Sequence, residues 1–312
     1  MKNYVSVYDI PDLTQWMNEA RELKSNSQQH RQLGSGKTLG LLFFNNSLRT
    51  RLSTQKAALN LGMEVMVMNF GKEGWALEFA DGTIMDGDRA EHVREAARVV
   101  SQYCDILGIR AFAGLKDKSE DESEQVLNGF IDHSTIPVIN LESALGHPLQ
   151  ALADAITIAE HKTSKRPKVV LTWAPHPRPL PHAVANSFIR MMQQMPVDFC
   201  ITHPEGYELN DKIVGNTPVF QDQKQALEGA DFIYAKNWSS YLDYGKVLNR
   251  DNSWMITLDV LGKARFMHCL PARRNVVVEG AVLDSGQSLV IEQANNRTYA
   301  AQLVLKKLLE TL

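Results

Sequence analysis

A stretch that follows an apolar run, FFNNSLRTR at Phe43–Arg51, has the composition of a phosphate-binding site. It offers hydroxyls from Ser47 and Thr50 and guanidinium groups from Arg49 and Arg51. The backbone N–H groups of a predicted helix N-terminus lie in the same stretch and also favour anions. In an open parallel sheet, ligands bind at the carboxyl ends of strands, where this stretch is placed. Taken alone, it is equally consistent with an N-capped helix whose arginines face solvent.

Residues able to assist carbonyl chemistry occur elsewhere in the chain. Arg110 ends another predicted strand, and the run HPLQALAD places His147 and Gln150 in the first turn of a predicted helix. Cys269 lies in HCLP after a further apolar run, and Arg297 lies in EQANNR. The arginines could neutralise a phosphate, while His147 and Gln150 could donate to a carbonyl or an amide. The alternatives are surface ion pairs for the arginines and helix capping for His147.

Nucleotide-binding glycine motifs are not found. GSGKT at Gly34–Thr38 resembles the end of a P-loop, but Arg31 stands where that motif requires its first glycine. The segment also precedes a predicted strand, whereas a P-loop follows one. Since no G-x-G-x-x-G occurs either, the sequence disfavours a nucleotide-dependent enzyme on a doubly wound fold.

Composition excludes several classes of partner. With 33 basic and 36 acidic residues among 312, the formal charge is −3, which provides no positive field for nucleic acid or an anionic membrane. Any anion must therefore meet a local cluster. The three cysteines are widely separated, which predicts neither disulfides nor a zinc site and suggests a reducing cytoplasm. No segment has the length of a membrane span, and we expect no metal and no cofactor.

Helical and strand-like patterns alternate along the chain in two series. The first runs from the strand at Leu39–Phe44 to the strand at Ile136–Leu141, and the second from Lys168–Trp173 to Phe232–Ala235. Such alternation predicts parallel sheets with helices on both faces. The fold class is therefore α/β, with two doubly wound parallel-sheet domains. The basic segment KTSKRPK, Lys162–Lys168, is a candidate domain crossover.

Four ordered motifs, SLRTR, HPLQALAD, HCLP and EQANNR, resemble the signature set of the aspartate/ornithine carbamoyltransferase family. Leu48 departs from the family's S-T-R-T-R, which matters little if this residue contributes its backbone N–H. The resemblance implies a carbamoyl phosphate-binding domain at 1–142, to which a C-terminal helix at 293–312 returns, and an acceptor-binding domain at 143–292. It also implies a homotrimer in which Trp75 reaches the site of a neighbouring subunit.

The resemblance assigns most of these side chains to carbamoyl phosphate. His147, Arg49, Thr50 and Arg297 are the expected catalytic residues. Gln150 and the backbone carbonyls of Cys269 and Leu270 would hold the carbamoyl amine. The full expected set is Ser47, Leu48, Arg49, Thr50, Trp75, Arg110, His147, Gln150, Cys269, Leu270 and Arg297. No protein base is evident, so the leaving phosphate is expected to take the acceptor's proton.

The acceptor-binding motifs differ from those of plain ornithine carbamoyltransferases, because the D-x-x-x-S-M-G loop is missing. TWAPHPRPLPHAVANS and YAKNWSSYLDYG instead resemble the branch of the family that acts on N-acylated ornithine. That resemblance implies contacts from Glu142 to the side-chain amine, from Lys236 to the α-carboxylate and from His176 to a carboxylate or amide.

A charge argument favours a succinyl over an acetyl group. A succinyl group ends in a carboxylate, so its pocket needs cations and no facing acid. The acetyl branch has a glutamate where this chain has Ala90 and a carboxylated lysine where it has Val277, while the succinyl branch has proline at the Ala90 position. The expected acylornithine contacts are Glu142, His176, Lys236, Arg273, Leu270, Ala90 and Arg274, with Arg273 meeting the succinyl carboxylate.

The resemblance and the charge argument together imply transfer of the carbamoyl group of carbamoyl phosphate to N-succinylornithine, in arginine biosynthesis. N-acetylornithine is the alternative acceptor. A non-catalytic carbamoyl phosphate-binding homologue is the alternative from another class. It predicts the loss of a donor among Arg49, Arg110, His147 and Arg297, and all four are present.

Overall fold

The computed structural model describes residues 1–249 and 251–312. The chain divides into two compact units. The first consists of Met1–Gly114, Ser119–Leu149 and Arg297–Leu312, and the second of Leu115–Lys118 and Gln150–Asn296. Among the described residues, no helix is long and apolar enough to cross a membrane.

The strands are β1 (Thr38–Phe43), β2 (Glu64–Asn69), β3 (Leu77–Glu78), β4 (Glu91–His92), β5 (Ile106–Ala111), β6 (Val138–Ser143), β7 (Lys168–Trp173), β8 (Asp198–Thr202), β9 (Val219–Phe220), β10 (Phe232–Lys236) and β11 (Arg265–Met267). The α-helices are α1 (Leu13–Ser25), α2 (Arg49–Asn60), α3 (Phe70–Glu73), α4 (Val93–Val100), α5 (Lys118–Ser123), α6 (Gln125–His133), α7 (Pro148–His161), α8 (Ala183–Met192), α9 (Asp211–Val214), α10 (Gln223–Leu227), α11 (Leu258–Leu261), α12 (Gly280–Asp284) and α13 (Val290–Leu309).

The first unit contains a parallel sheet with the strand order β2-β1-β5-β6. β1 and β5 are central and almost entirely buried, as expected for parallel strands covered on both faces. Gly108 of β5 permits this packing, because a Cβ there would lie 2.9 Å from the Leu41 side chain. The chain continues from β1 to one side and from β5 to the other. The sheet therefore has a topological switch point between β1 and β5, where ligands bind in such folds.

The last part of α13 belongs to the first unit and packs there through buried amides. Asn60, the last residue of α2, donates from Nδ2 to Gln302 Oε1 at 2.8 Å, and Gln302 Nε2 donates to the Ser27 carbonyl at 2.6 Å. α2 ends two residues before Gly62, whose φ of +83° lies in the left-handed region that glycine favours. These contacts fix the C-terminal helix against α2.

The second unit contains a parallel sheet with the order β11-β10-β7-β8-β9. Its apolar core includes Val170, Ile233 and Phe266 from three neighbouring strands, together with Val277. Val277 is fully buried there, so the position at which the acetyl branch carries a lysine is part of the core. The switch point of this sheet lies between β7 and β10.

The predicted α/β class is confirmed, with differences in detail. The sequence predicts one helix at Glu120–Phe130, whereas the structure has α5 and α6, because Glu124 adopts a left-handed φ of +47° between them. The segment Lys162–Lys168 is no crossover, since it lies inside the second unit. There the Pro167 carbonyl accepts from the Asp198 N–H, and Lys168 begins β7.

The unit boundaries also differ from the expected domain boundaries at 142/143 and 292/293, and lie at 149/150 and 296/297. Ser143 N–H donates to the Gly146 carbonyl, and Tyr4 Oη donates to the Pro148 carbonyl, which holds the residues after β6 in the first unit. Asn296 donates to Thr157 Oγ1 at 3.0 Å, which holds the start of α13 in the second unit.

Candidate functional site

The switch point of the first sheet brings together the phosphate-binding candidates of that unit. Phe43, at the end of β1, is paired in register with Arg110 near the end of β5. Ser47 and Arg49 follow β1 at the start of α2. The residue before α2, Leu48, makes no side-chain cap to the helix.

Two guanidinium groups converge on the hydroxyl of Thr50. Arg297 donates from Nη2 to Thr50 Oγ1 at 2.6 Å, and Arg110 Nη1 lies 3.5 Å from the same oxygen. All three side chains are buried, at 2% exposure for Thr50, 8% for Arg110 and 7% for Arg297. Two buried cations so close together need a nearby anion to offset their loss of hydration.

Glu142 supplies a carboxylate to this cluster. β6 lies beside β5, and Glu142 pairs in register with Arg110. Glu142 Oε2 accepts a hydrogen bond from Arg110 Nη1 and lies 3.6 Å from His147 Nε2. The carboxylate thus occupies a position on Arg110 where an anionic ligand could bind.

His147 is a neutral imidazole within this group of charges. Its side chain is buried, and Nε2 lies 3.4 Å from Arg297 Nη2. Burial lowers the pKa of His147 well below its ordinary value of 6.5, and the charges of Arg297 and Arg110 lower it further. At neutral pH the ring is therefore uncharged. It still has one N–H group, which can donate a hydrogen bond without adding a positive charge to the site.

Trp75 and Ala90 lie on the surface of the first unit. Trp75 is 58% exposed, and its Nε1 donates to Glu91 Oε2 at 2.9 Å. Ala90 belongs to an exposed run, and its N–H donates to the Ala76 carbonyl at 3.1 Å. Their predicted roles in ligand binding remain predictions.

In the second unit, Gln150 and the HCLP turn are both held by buried hydrogen bonds. Gln150, in the first turn of α7, donates from Nε2 to Asp154 Oδ1 at 2.7 Å. Leu270 has a left-handed φ of +55°, a conformation that is unusual for leucine. Its N–H donates to His268 Nδ1 at 2.8 Å, which holds the turn containing Cys269.

The switch point of the second sheet carries a cationic group. Lys236 ends β10 and is buried, with its Nζ donating to the Asn237 carbonyl at 2.8 Å. His176 follows β7, and Arg273 donates from Nε to His176 Nε2 at 3.1 Å. His176 Nδ1 lies 2.8 Å from the Arg178 carbonyl oxygen and 3.1 Å from the Arg178 backbone nitrogen, so the backbone of Arg178 holds the other side of the ring.

Positive charge dominates the surroundings of His176. Burial lowers the pKa of the His176 imidazole, and the charges of Arg273, Lys236 and Arg178 act in the same direction, against the bond to the Arg178 carbonyl. Such a group of cations fits a ligand that carries carboxylates.

Arg274 is a weaker candidate than Arg273. Its two terminal nitrogens make a bidentate ion pair with Asp284, at 2.7 Å for each bond. Its charge is therefore already compensated by a protein carboxylate, a partner ten residues away that the sequence analysis did not identify.

Asp154, His268 and Gln293 are further residues that the sequence analysis missed. A signal existed for Asp154, which follows Gln150 by four residues in HPLQALAD and so lies on the same face of α7. The sequence gives no signal for His268 or Gln293. A histidine before a cysteine is an ordinary residue, and so is a glutamine in a helix. Within the described ranges 1–249 and 251–312, no cluster of three or more His, Cys, Asp or Glu side chains is arranged to hold a metal.

Family models match nearly the whole chain. Residues 2–160 match the aspartate/ornithine carbamoyltransferase carbamoyl-P binding domain, and residues 181–308 match the Asp/Orn binding domain of the same family. The chain belongs to the aspartate/ornithine carbamoyltransferase family. The unit with the Thr50 cluster is thus the one that contains most of the matched carbamoyl-P binding domain.

Relatives in this carbamoyltransferase family cover the chain from end to end. It is 53% identical to N-succinylornithine carbamoyltransferase of Bacteroides thetaiotaomicron, over 100% of both chains. It is 37% identical to N-acetylornithine carbamoyltransferase of Xanthomonas campestris, over 88% of this chain and 87% of that one. A solved glutamate-to-alanine variant of N-acetyl-L-ornithine transcarbamylase, complexed with carbamyl phosphate and N-succinyl-L-norvaline, matches with a TM-score of 0.91 and 35% identity, over 99% of this chain and 100% of that one.

The depressed pKa of His147 predicts a pH-dependent stability. Below about pH 6.5 the unfolded chain binds a proton on His147 that the folded chain does not, so folding stability falls as the pH falls. His147→Gln removes this group. We expect the melting temperature of the unmodified protein to fall relative to that of the variant by about 2 °C between pH 7.5 and pH 5.5. A difference in melting temperature that stays constant over this range would contradict the buried, neutral His147.

Proposed function

We propose that this chain transfers the carbamoyl group of carbamoyl phosphate to the δ-amine of N2-succinyl-L-ornithine, giving N-succinyl-L-citrulline and phosphate, in arginine biosynthesis. The observation that carries the donor half is the convergence of Arg110 and Arg297 on Thr50 beside a neutral His147. The acceptor half is supported by the cations around His176 and by the 53% identity to an N-succinylornithine carbamoyltransferase.

The phosphate group binds in the first unit. Ser47, Arg49 and the first-turn N–H groups of α2 bind it together with Arg110, because a dianion matches this concentration of donors. Phosphate replaces Glu142 on Arg110, and the displaced carboxylate then receives the δ-ammonium group of the acceptor. One carboxylate therefore compensates Arg110 before the donor binds and the substrate amine afterwards.

Carbamoyl transfer passes through a tetrahedral oxyanion. The δ-amine attacks the carbonyl carbon, a C–N bond forms, and the C–O bond to phosphate then breaks. Arg297, Thr50 and His147 donate hydrogen bonds to the carbonyl oxygen, where negative charge develops. A neutral His147 suits this role, because an imidazole that already carried a second proton would add a third buried cation to the cluster.

The acceptor must react as a free amine. An amine with a pKa of roughly 10.4 loses its proton at neutral pH at a cost of about 4 to 5 kcal/mol. The cations of the site reduce this cost, since they disfavour an ammonium group nearby. The departing phosphate accepts the proton from the attacking nitrogen, so that no protein base is required.

The acyl group is recognised in the second unit. Lys236 binds the α-carboxylate, and Arg273, held by His176, meets the terminal carboxylate of the succinyl group. A solved N-acetyl-L-ornithine transcarbamylase in which a glutamate is replaced by alanine is complexed with N-succinyl-L-norvaline. This supports the argument that a facing glutamate excludes a succinyl group and that Ala90 permits it.

A citrulline-forming assay with three acceptors tests the proposed function. We expect N-succinylornithine to be used about 10- to 150-fold more efficiently than N-acetylornithine or ornithine, since a compensated carboxylate contributes about 1.5 to 3 kcal/mol. Ala90→Glu, compared with Ala90→Gln as an uncharged control of equal size, should reduce the use of N-succinylornithine selectively. Equal use of the three acceptors, or an unchanged preference in Ala90→Glu, would contradict the succinyl specificity.

We also propose that the protein is a homotrimer. Large apolar side chains are exposed on neighbouring elements of the first unit, at Leu48, Leu52, Leu59, Met66, Met68, Trp75, Ile84 and Met85. A set of this size indicates a protein interface. β2, which carries two of them, is an edge strand of the sheet. In the trimer, Trp75 closes over the carbamoyl phosphate of the adjacent subunit.

Mixed oligomers test the contribution of Trp75. Trp75→Ala and Arg110→Gln should each be nearly inactive when expressed alone. When the two are co-expressed and the mixed trimers are purified through two different tags, each trimer pairs an intact Arg110 with an intact Trp75 of the neighbour at about one of its three sites. We therefore expect activity to return to about a third of that of the unmodified enzyme. Mixtures no more active than the separate variants would contradict a shared site.

A further inference from the structure

We propose that Asp154 and Gln293 are positioning residues that together fix both acceptors of the carbamoyl amine, the Gln150 side chain and the HCLP turn. The inference rests on the proposed function, because it concerns how the donor's NH₂ group is recognised. All the residues involved belong to the second unit.

Asp154 is a fully buried carboxylate that organises two glutamines. Its exposure is 0%, and Gln150 Nε2 and Gln293 Nε2 each donate to its Oδ1 at 2.7 Å. A buried carboxylate is strongly unfavourable unless donors surround it, so the two amide groups are held firmly in place. With Nε2 of Gln150 directed to Asp154, its Oε1 is the atom that can accept from a ligand amine.

Gln293 connects Asp154 to the HCLP turn. While its Nε2 donates to Asp154, its Oε1 accepts the backbone N–H of His268 at 2.9 Å. The orientation of this amide is determined chemically, because only the oxygen can accept from an N–H and only the nitrogen can donate to a carboxylate. A glutamine is therefore the residue type that satisfies both neighbours.

His268 links Gln293 to Leu270 through a second hydrogen bond. The His268 ring accepts the Leu270 N–H on Nδ1 at 2.8 Å, and Leu270 has the left-handed backbone that turns its carbonyl. Displacement of His268 would therefore change the direction of the Cys269 and Leu270 carbonyls. The Tyr234 hydroxyl lies near both Asp154 and Cys269. Burial is the main cause that raises the pKa of Tyr234 well above its ordinary value, and the charge of Asp154 is the second.

The four contacts form a continuous relay from Gln150 through Asp154, Gln293 and His268 to Leu270. An NH₂ group has two N–H donors and needs two acceptors at a fixed separation. One acceptor is Gln150 Oε1, and the other is a carbonyl of the turn. The relay sets this separation, so it selects a carbamoyl group over an acyl group that has a methyl in place of the amine.

Moving the carboxyl group from position 154 to position 293 tests the relay, and the single variant at position 293 comes first. Gln293→Glu places a second carboxyl group against Asp154, and two such groups stay together only while they share a proton. We expect the KM for carbamoyl phosphate in this variant to rise about tenfold between pH 6 and pH 8, relative to the unmodified enzyme at each pH. Gln225→Glu, at an exposed position of the same unit, controls for the added charge and should leave KM unchanged.

The double variant Asp154→Asn, Gln293→Glu should restore the enzyme. The asparagine introduced at position 154 would accept from Gln150 on Oδ1 and, after a rotation of its amide, donate from Nδ2 to the carboxylate introduced at position 293. That carboxylate would still accept the His268 N–H, so each pair in the relay again joins a donor to an acceptor without two facing carboxylates. We expect the KM of the double variant to return to within about threefold of the original value, with no added pH dependence. A purely structural role would lower the melting temperature and kcat without a pH-dependent KM.

Gln293→Met keeps the measurement decisive if the glutamate variant does not fold. It removes both hydrogen bonds without adding charge and should raise the KM for carbamoyl phosphate about tenfold at every pH. Each of three results would overturn the inference. The first is an unchanged KM in Gln293→Met, and the second is a KM in Gln293→Glu that equals that of the unmodified enzyme at all pH values. The third is a double variant whose KM is no better than that of Gln293→Glu. Absence of carbamoyl transfer by the unmodified protein would instead contradict the proposed function.

Discussion

The approach of two guanidinium groups to one buried hydroxyl is the constraint on which the rest of the site depends. Arg110 and Arg297 come from distant parts of the sequence and meet at Thr50. Their mutual repulsion in a poorly hydrated place has to be offset by an anion. Glu142 supplies it in the protein itself, and in our proposal the substrate phosphate supplies it during turnover. Burial, and then the charges of Arg297 and Arg110, lower the pKa of His147 and keep its imidazole neutral.

Each unit places its ligand residues at the switch point of a parallel sheet. β1 and β5 carry the residues proposed to bind the phosphate, and β7 and β10 lead to His176 and Lys236. Helix ends also carry candidate residues, because α2 begins in the proposed phosphate-binding stretch, and α7 begins just after His147 and has Gln150 in its first turn. Buried amides such as Asn60 with Gln302 then hold the helices against their neighbours. A nearly neutral chain can therefore still present concentrated positive charge to its substrates.

Sequence patterns predicted the long elements and the main site residues, because both depend on local order. β7 was predicted with its observed bounds. The break at Glu124 was missed, since a left-handed residue within a helical pattern depends on its surroundings. The pairing of Arg274 with Asp284 and the relay through Gln293 were missed as well. Both depend on contacts between residues ten or more positions apart in the chain, for which residue type gives no signal.

The kcat/KM for carbamoyl phosphate in Thr50→Val tests the central claim most directly. Valine keeps the shape of threonine and removes the hydroxyl on which Arg110 and Arg297 converge, while Thr50→Ser retains that hydroxyl as a matched control. The account predicts a loss of about 100-fold for Thr50→Val, corresponding to two charge-assisted hydrogen bonds, and a change of less than about threefold for Thr50→Ser. A Thr50→Val enzyme that uses carbamoyl phosphate as efficiently as the unmodified protein would contradict it.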